Sequence, residues 1–386
     1  MSLEKVKTSP LLDYKLSKFS RFLIPLIWIA LPVVMVGLQS KPFASLTAVI
    51  CFGSQFNSVV LDEVRSIPHY VFPGSGYDGQ FYAQLAIDPS LRNPQLPKAL
   101  DNPVYRGRRI LLPALSYLLG LGVPRLIIQA YAIINLLFFG LLVGGLIYFC
   151  KPCTLKDYLV ITAVVWTTGS LVSVTRALVD LPASVLTLLA VFIQGTGSLP
   201  VFIAAILCKE TSVLSILSIA WPKTWGWKQI GMALSRIGLV LIPYLGWLYY
   251  VQLHFGSGLV MGIQNFELPF IALAQHLWQT IRSLFVSFNL FTLSELLAPI
   301  SLTVQAAYLL KKPRFDSAIW RMGIVFAGFF FFVGSSVLMQ QLNYTRAFLP
   351  LSIAFNLVLM RSKEKFFGRW FLLGNLGLTW INLTLV

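Results

Sequence analysis

The chain has 386 residues, of which 57% are hydrophobic and only 11% are charged, and its mean hydropathy is +0.76. Soluble domains contain about 25% charged residues and cannot bury this much apolar surface, so this composition excludes a soluble globular protein. The net charge of +16 does not require nucleic acid, because lysine and arginine collect on the cytoplasmic side of membrane proteins. We therefore predict an all-α polytopic membrane protein with no nucleic-acid partner.

Uncharged apolar runs predict about 11 transmembrane helices in a single transmembrane domain, residues 1–386. Residues 1–21 form a basic cytoplasmic leader, the first span is Phe22–Leu38, residues 39–125 form a large first outer loop, and residues 126–386 form the helical bundle. The spans predicted in the bundle are Leu126–Phe149, Tyr158–Val174, Ala183–Ile193, the pair Val201–Cys208 and Val213–Ala220, Ile230–Val251, Leu293–Leu310, Met322–Met339, Leu349–Leu359 and Phe371–Leu385.

The distribution of charge predicts the orientation of these spans. With the N-terminus in the cytoplasm, the inner segments hold 17 lysine and arginine residues and the outer segments hold about 12. Eight of those 12 lie in the long 39–125 loop, where the positive-inside rule is weak. In that loop, Ala44–Phe52 and Ile110–Leu121 are too short to cross a bilayer, and we predict that both lie along the membrane surface.

The centre of the outer loop carries the strongest candidate for chemistry, the run Pro73-Gly-Ser-Gly-Tyr-Asp-Gly-Gln-Phe-Tyr82. Its glycines permit a sharp turn that exposes the Asp78 carboxylate. An apolar-periodic run starting at Phe81 predicts a helix, which places Asp78 near the helix N-terminus. Asp78 is therefore either a reactive carboxylate, with Tyr77, Gln80 and Tyr82 as substrate contacts, or an ordinary N-cap.

Basic residues recur at other points of the predicted outer face. Arg106, Arg108 and Arg109 precede the second short apolar segment and suit phosphate oxygens, although lipid headgroups are an alternative partner. Ionisable groups at predicted outer helix ends are Arg176 and Asp180, Lys209 and Glu210, and Arg346. Charges near membrane depth mark functional sites, but Arg176 with Asp180 and Lys209 with Glu210 could also be local ion pairs.

The long first outer loop, its carboxylate and the later basic positions resemble GT-C class integral-membrane glycosyltransferases. The runs Gly76-Tyr-Asp-Gly-Gln-Phe-Tyr-Ala-Gln-Leu-Ala86, Asp101-Asn-Pro103 and Tyr105-Arg-Gly-Arg-Arg-Ile-Leu-Leu-Pro113 further resemble a bacterial family annotated for cell-surface glycopolymer formation. About 40 residues carry this likeness. It implies a GT-C-like bundle in the bacterial inner membrane with its active site on the periplasmic face.

The resemblance also implies the chemistry. Such enzymes transfer a sugar from a polyprenyl-phosphate donor to a glycan or lipid acceptor and invert the anomeric centre. Asp78 matches the general-base position, and the candidates for the donor phosphate are Arg108, Arg109, Arg176, Lys209 and Arg346. The class includes members with and without a divalent metal. No second acid stands beside Asp78, so no metal ligand is predicted, and dependence on a divalent metal stays an open alternative.

Two alternatives stay open from the sequence. Many class members carry two adjacent acids, and the adjacent acids of this loop are Asp62 and Glu63, which would reduce Asp78 to a cap. A transporter or flippase of lipid-linked sugars would instead predict inverted repeats and buried mid-span charges. No repeat is visible, and only Arg236 falls deep in a predicted span.

Cys150 and Cys153 form a lone CxxC pair. It lacks the second ligand pair of a metal site and the sequence context of a redox motif, so we assign it neither role.

Overall fold

The computed structural model describes residues 12–41, 45–222, 224–256 and 265–379. The predicted leader, residues 1–21, and the last predicted span, Phe371–Leu385, therefore fall partly outside the described residues. The α-helices are α1 Lys18–Ser40, α2 Asp62–Arg65, α3 Gly79–Ile87, α4 Leu96–Ala99, α5 Pro103–Gly107, α6 Leu111–Leu119, α7 Pro124–Cys150, α8 Leu155–Val165, α9 Thr168–Thr175, α10 Asp180–Ile193, α11 Ser198–Cys208, α12 Ile216–Ile219, α13 Trp227–Phe255, α14 Ile271–Val286, α15 Leu290–Lys311, α16 Ala318–Phe332, α17 Ser335–Leu338, α18 Gln341–Ala347, α19 Leu349–Met360 and α20 Phe367–Thr379.

The remaining regular structure is short. Strands β1 (Phe52–Gly53) and β2 (Val71–Phe72) pair in parallel, with Phe52 opposite Val71. Three 3₁₀ helices cover Leu46–Ile50, Ser54–Val59 and Glu210–Ser215. The prediction of an all-α protein is therefore confirmed.

Within the described ranges, four helices are long and apolar enough to cross a membrane: α1, α7, α13 and α15. Helices α8 and α9 add a fifth candidate if they form one span, although they meet at a bend of 45°. The predicted number of about 11 is not confirmed. Helices α10, α11 and α19 are apolar but only 14, 11 and 12 residues long, and the region predicted as Met322–Met339 is interrupted between α16 and α17.

The structure bears on the predicted chain break at Lys209 and on the two segments that were predicted to lie along the membrane surface. The break at Lys209 is confirmed, because α11 ends at Cys208, Lys209 is extended, and a 3₁₀ helix follows. Of the two segments predicted to lie along the membrane, the second forms α6. The first contains the 3₁₀ helix Leu46–Ile50, whose residues from Thr47 onward are buried in protein.

The chain forms two compact units. Unit 1 contains residues 1–30, 142–170 and 264–386, and unit 2 contains residues 31–141 and 171–263. The single transmembrane domain expected from the sequence stays a prediction.

Helices of unit 1 pack closely through small and amide side chains. Gly323 lies against Ala354, where any added Cβ would overlap the alanine side chain. The amides of Asn356 and Asn375 exchange two hydrogen bonds of 2.9 and 3.0 Å between α19 and α20. Both asparagines are buried, so satisfying each amide through the other avoids the free-energy cost of an unpaired polar group.

Unit 2 is organised around α3, all nine of whose residues are buried. This short helix packs against α6 and α5 and against the 3₁₀ helix Leu46–Ile50. At its first residue, Gly79, an added Cβ would lie 2.6 Å from the Arg176 carbonyl oxygen and 3.0 Å from that of Ile50. Only glycine allows the three chain segments to approach this closely.

Candidate functional site

The loop before α3 positions Asp78. Gly74 and Gly76 adopt φ angles of +87° and +67°, which confirms the predicted glycine turn. Gln80 anchors this loop, since its Oε1 accepts the Gly53 N–H (2.9 Å) and its Nε2 donates to the Ser75 carbonyl (2.7 Å). Gln80 is 1% exposed and positions the loop, and its substrate contact stays a prediction.

Asp78 directly precedes α3, as predicted, but its side chain makes no capping hydrogen bond. It instead accepts a hydrogen bond of 2.9 Å from Nη2 of Arg106. Arg106 is buried, whereas 27% of the Asp78 side chain stays exposed. The ordinary N-cap alternative therefore does not describe this carboxylate.

Arg106 also binds a second carboxylate. Its Nε donates to Asp101 Oδ1 (2.8 Å) and its Nη2 to Asp101 Oδ2 (2.7 Å), a two-bond geometry typical of arginine–carboxylate pairs. The local sequence builds this contact, because the Asn102 side chain accepts the Tyr105 N–H (2.9 Å) and Pro103 starts α5. The structure thus brings Asp78 and Asp101 together on one buried guanidinium.

Arg109 lies one turn beyond Arg106 and pairs with a residue 101 positions away. Its Nε and Nη2 donate to the two oxygens of Glu210 at 2.7 and 2.6 Å. Burial alone would raise the pKa of Glu210, but the charges of Arg109, Arg108 and Lys209 and the Arg109 hydrogen bonds lower it to about 2. The Glu210 carboxylate is therefore ionised at neutral pH.

Arg108 contacts the same carboxylate more weakly, with Nη2 at 3.3 Å from Glu210 Oε1. Its guanidinium lies 4.3 Å from the ring centroid of Tyr105, as does that of Arg109. Nε of Arg108 is buried and has no hydrogen-bond partner in the described part of the chain. Arg108 therefore keeps donor capacity that Arg109 has already used.

The Tyr82 hydroxyl joins the two arginine clusters. It accepts hydrogen bonds from Nη1 of Arg106 (3.2 Å) and Nη1 of Arg109 (2.7 Å). Burial raises the pKa of Tyr82, and the two arginine charges offset only part of that rise. Tyr82 is 1% exposed and bridges Arg106 and Arg109, and its substrate contact stays a prediction.

The ion pairs that the sequence offered as an alternative, Arg176 with Asp180 and Lys209 with Glu210, give way in the structure to contacts between more distant residues. Lys209 pairs with Asp180 of α10, and Glu210 pairs with Arg109. Nη1 of Arg176 donates to Sγ of Cys51 at 2.9 Å. Burial raises the pKa of the Cys51 thiol and Arg176 lowers it by less, so Arg176 bonds to a thiol that stays protonated.

The remaining predicted residues lie elsewhere. Arg346 belongs to unit 1, where its Nη2 donates to Asn343 (2.9 Å). Tyr77 is half-buried, and its backbone N–H donates to the Cys51 carbonyl (2.9 Å). The structure thus gathers the other basic candidates in unit 2 and leaves Arg346 out of that unit.

The adjacent acids Asp62 and Glu63 occupy a different setting. Asp62 is exposed and pairs with Arg65 at 3.1 Å, and it accepts a hydrogen bond from Gln95 (2.8 Å). Both acids line an open groove of about 510 Å³. Within the described residues, no group of three histidine, cysteine or acidic side chains is placed to hold a metal ion.

Sequence reasoning missed Asp101, Tyr105 and the central role of Arg106. All three lie within the Asp101-Asn-Pro and Tyr105-Arg-Gly-Arg-Arg runs, so the signal was the local helix start at Asn102-Pro103 followed by two arginines three positions apart, Arg106 and Arg109. The assembled site contains five cations and four carboxylates, namely Arg106, Arg108, Arg109, Arg176 and Lys209 with Asp78, Asp101, Asp180 and Glu210. Most of its positive charge is therefore already neutralised by carboxylates.

Comparisons with protein-family models, with curated proteins and with solved structures find no match to this chain.

Proposed function

We propose that this chain is an inverting membrane glycosyltransferase of GT-C type. It moves a sugar from a polyprenyl-phosphate donor to a glycan or lipid acceptor at the outer face of the bacterial inner membrane. The observation that carries the proposal is the setting of Asp78. A buried arginine holds one carboxylate oxygen, while 27% of the side chain stays exposed.

Asp78 acts as the general base in this reaction. It takes the proton from the acceptor hydroxyl while the acceptor oxygen attacks the anomeric carbon and the bond from that carbon to the donor phosphate breaks. Arg106 fixes the direction of the carboxylate. Asp101 binds the same guanidinium through two hydrogen bonds, so it holds Arg106 in place against Asp78.

The leaving polyprenyl phosphate needs cations that carboxylates have not already neutralised. Arg109 and Lys209 are engaged in short ion pairs. Arg108 has the longer contact to Glu210 and an unpartnered Nε, and Arg176 has a thiol as its described partner. Arg108 and Arg176 are therefore the residues that we assign to the donor phosphate.

The test uses the purified full-length chain in lipid nanodiscs with a panel of polyprenyl-phosphate sugars and candidate acceptors, measuring release of free polyprenyl phosphate. Asp78→Asn keeps the side-chain shape and removes the base. We expect a rate loss of about 10²–10⁴-fold. Asp62→Asn is the matched control in the same loop, and we expect wild-type rates from it.

The outcomes separate the alternatives. Release that requires Asp78 but not Asp62 supports the transferase and identifies the donor. Release that survives Asp78→Asn removes Asp78 from catalysis, and a loss confined to Asp62→Asn moves the site to the groove. Movement of an intact lipid-linked sugar across the bilayer, without any release, would replace the transferase with a flippase.

A further inference from the structure

The described residues of unit 1 carry their excess charge at one end. The segments 12–21, 150–157, 311–321 and 361–369 contain 13 lysine and arginine residues and four acidic residues. The rest of the described unit contains two arginines and two glutamates. The positive excess of unit 1 therefore lies entirely in these four segments, which we call the basic end.

The four segments come from distant parts of the chain and meet in the fold. Hydrogen bonds and an ion pair join each segment to another. The contacts are the Leu16 N–H to the Cys153 carbonyl (3.0 Å), Lys156 Nζ to the Ser362 carbonyl (2.8 Å), and Lys312 Nζ to Glu364 (3.0 Å). The basic end is therefore one continuous surface.

The C-terminal ends of helices explain the position of some of these cations but not of all. Helices α7, α15 and α19 end here, and cations near helix C-termini are favourable. Lys312 has a carboxylate partner in Glu364. In contrast, Lys363, Lys365 and Arg369 are exposed and form no ion pair with any described residue.

Exposed aromatic rings lie among these cations. Phe366 is 47% exposed, and its ring centroid is 5.8 Å from Lys365 Nζ and 5.1 Å from Arg369 Cζ. Phe315, in the neighbouring segment, is 62% exposed. Rings that sit at headgroup depth beside long basic side chains that reach phosphates are typical of a membrane–water interface.

We propose that the basic end binds the headgroups of anionic phospholipids in the adjoining membrane leaflet, with Lys363, Lys365 and Arg369 around Phe366 as the main contact. The positive surface matches the negative surface of such a leaflet, and the exposed rings match its interfacial layer. This surface is independent of the proposed transferase activity, because it lies in unit 1 and uses none of the unit 2 site residues.

The test titrates phosphatidylglycerol and phosphatidylcholine against the full-length chain in detergent and measures bound lipid by native mass spectrometry. We expect phosphatidylglycerol to bind about tenfold or more tightly than phosphatidylcholine. The triple variant Lys363→Gln, Lys365→Gln and Arg369→Gln should weaken phosphatidylglycerol binding roughly 100-fold at low salt, since each basic residue contributes about a fivefold factor.

A second triple variant is matched in charge. Arg92→Gln, Lys98→Gln and Arg125→Gln remove three exposed cations from unit 2, and this variant should keep the wild-type preference. Circular dichroism checks that both variants retain their helix content. Equal binding of the two lipids by the wild type would overturn the proposal, as would equal losses in the two variants. Displacement of the lipid by an equal concentration of inorganic phosphate would indicate a soluble-anion site instead.

Discussion

Replacing Glu210 with glutamine should destabilise unit 2, because it removes the carboxylate that pairs with Arg108 and with the buried Arg109. Glutamine keeps the size of the side chain but removes the charge and one of the two oxygens that bind Arg109 at 2.7 and 2.6 Å. Arg109 is buried, and in the variant its described acceptors, the Tyr82 and Tyr105 hydroxyls and the remaining amide oxygen of residue 210, are all neutral. Burial alone lowers the pKa of Arg109, but Glu210, Tyr105 and Tyr82 together raise it by more, so this guanidinium stays charged in the native protein.

The size of the effect follows from the electrostatics of Glu210. The net lowering of its pKa from 4.5 to about 2 corresponds to about 3 kcal/mol in favour of the ionised form. Removing one partner of a buried ion pair costs about 3–5 kcal/mol, which agrees with that value. We therefore expect Glu210→Gln to lower the free energy of unfolding by about 3 kcal/mol.

The assay is reversible unfolding of the purified chain in mixed micelles, followed by intrinsic tryptophan fluorescence. Asp62→Asn is the control, because Asp62 and its partner Arg65 have 65% and 52% of their side chains exposed, and such exposed pairs contribute only about 0–1 kcal/mol. A loss for Glu210→Gln below about 1 kcal/mol would refute the reasoning, since the Arg109 pair would then behave like a surface contact.

The same pair predicts a pH dependence. The pKa of Glu210 is lowered in the folded state, so its stabilising contribution is present above the unfolded value of 4.5 and is lost as the pH falls toward about 2. Wild-type stability should decline across that window. The Glu210→Gln variant should decline less, because position 210 no longer titrates. Parallel curves for the two proteins would assign the acid sensitivity to other groups.

Two further substitutions probe the same unit. Tyr82→Phe leaves one N–H of each of two buried arginines unsatisfied and should cost about 2–4 kcal/mol of unfolding free energy. Tyr105→Phe should cost less, because its hydroxyl accepts only one bond and that Arg109 nitrogen also binds Glu210. An equal loss in both would exclude a bridging role for Tyr82. Gly79→Ala should lower the unfolding temperature, because the new Cβ meets backbone oxygen at 2.6 Å. Gly140→Ala, with open space around it, should leave that temperature unchanged or slightly higher, and matching effects of the two would contradict the close-approach argument.

Local sequence signals predicted the position of Asp78 well. The glycines before Asp78 form the turn, and the apolar run after it forms the helix that starts at Gly79. The same holds for the break after Cys208, where two adjacent charged residues interrupt an apolar run. These features depend on neighbours along the chain, which a sequence displays directly.

The partners of the charged residues could not be read in this way. Arg176 and Asp180 have the spacing of one helical turn, but Ala177 adopts a φ of +48°, so no continuous helix joins them. Lys209 is extended (φ −155°, ψ 125°), and successive side chains on extended backbone point in opposite directions. Lys209 therefore reaches Asp180, and Glu210 reaches Arg109.

The sequence by itself determined that the chain contains apolar helices of membrane-spanning length, because its low share of charged residues leaves long uncharged apolar runs that match the thickness of a bilayer. The number of such helices was visible only in the tertiary structure, because a hydropathy profile does not show where a helix ends or bends, as between α8 and α9. The same is true of the site. Its residue types were visible in the sequence, but which cation each carboxylate neutralises depends on contacts between segments up to 102 positions apart.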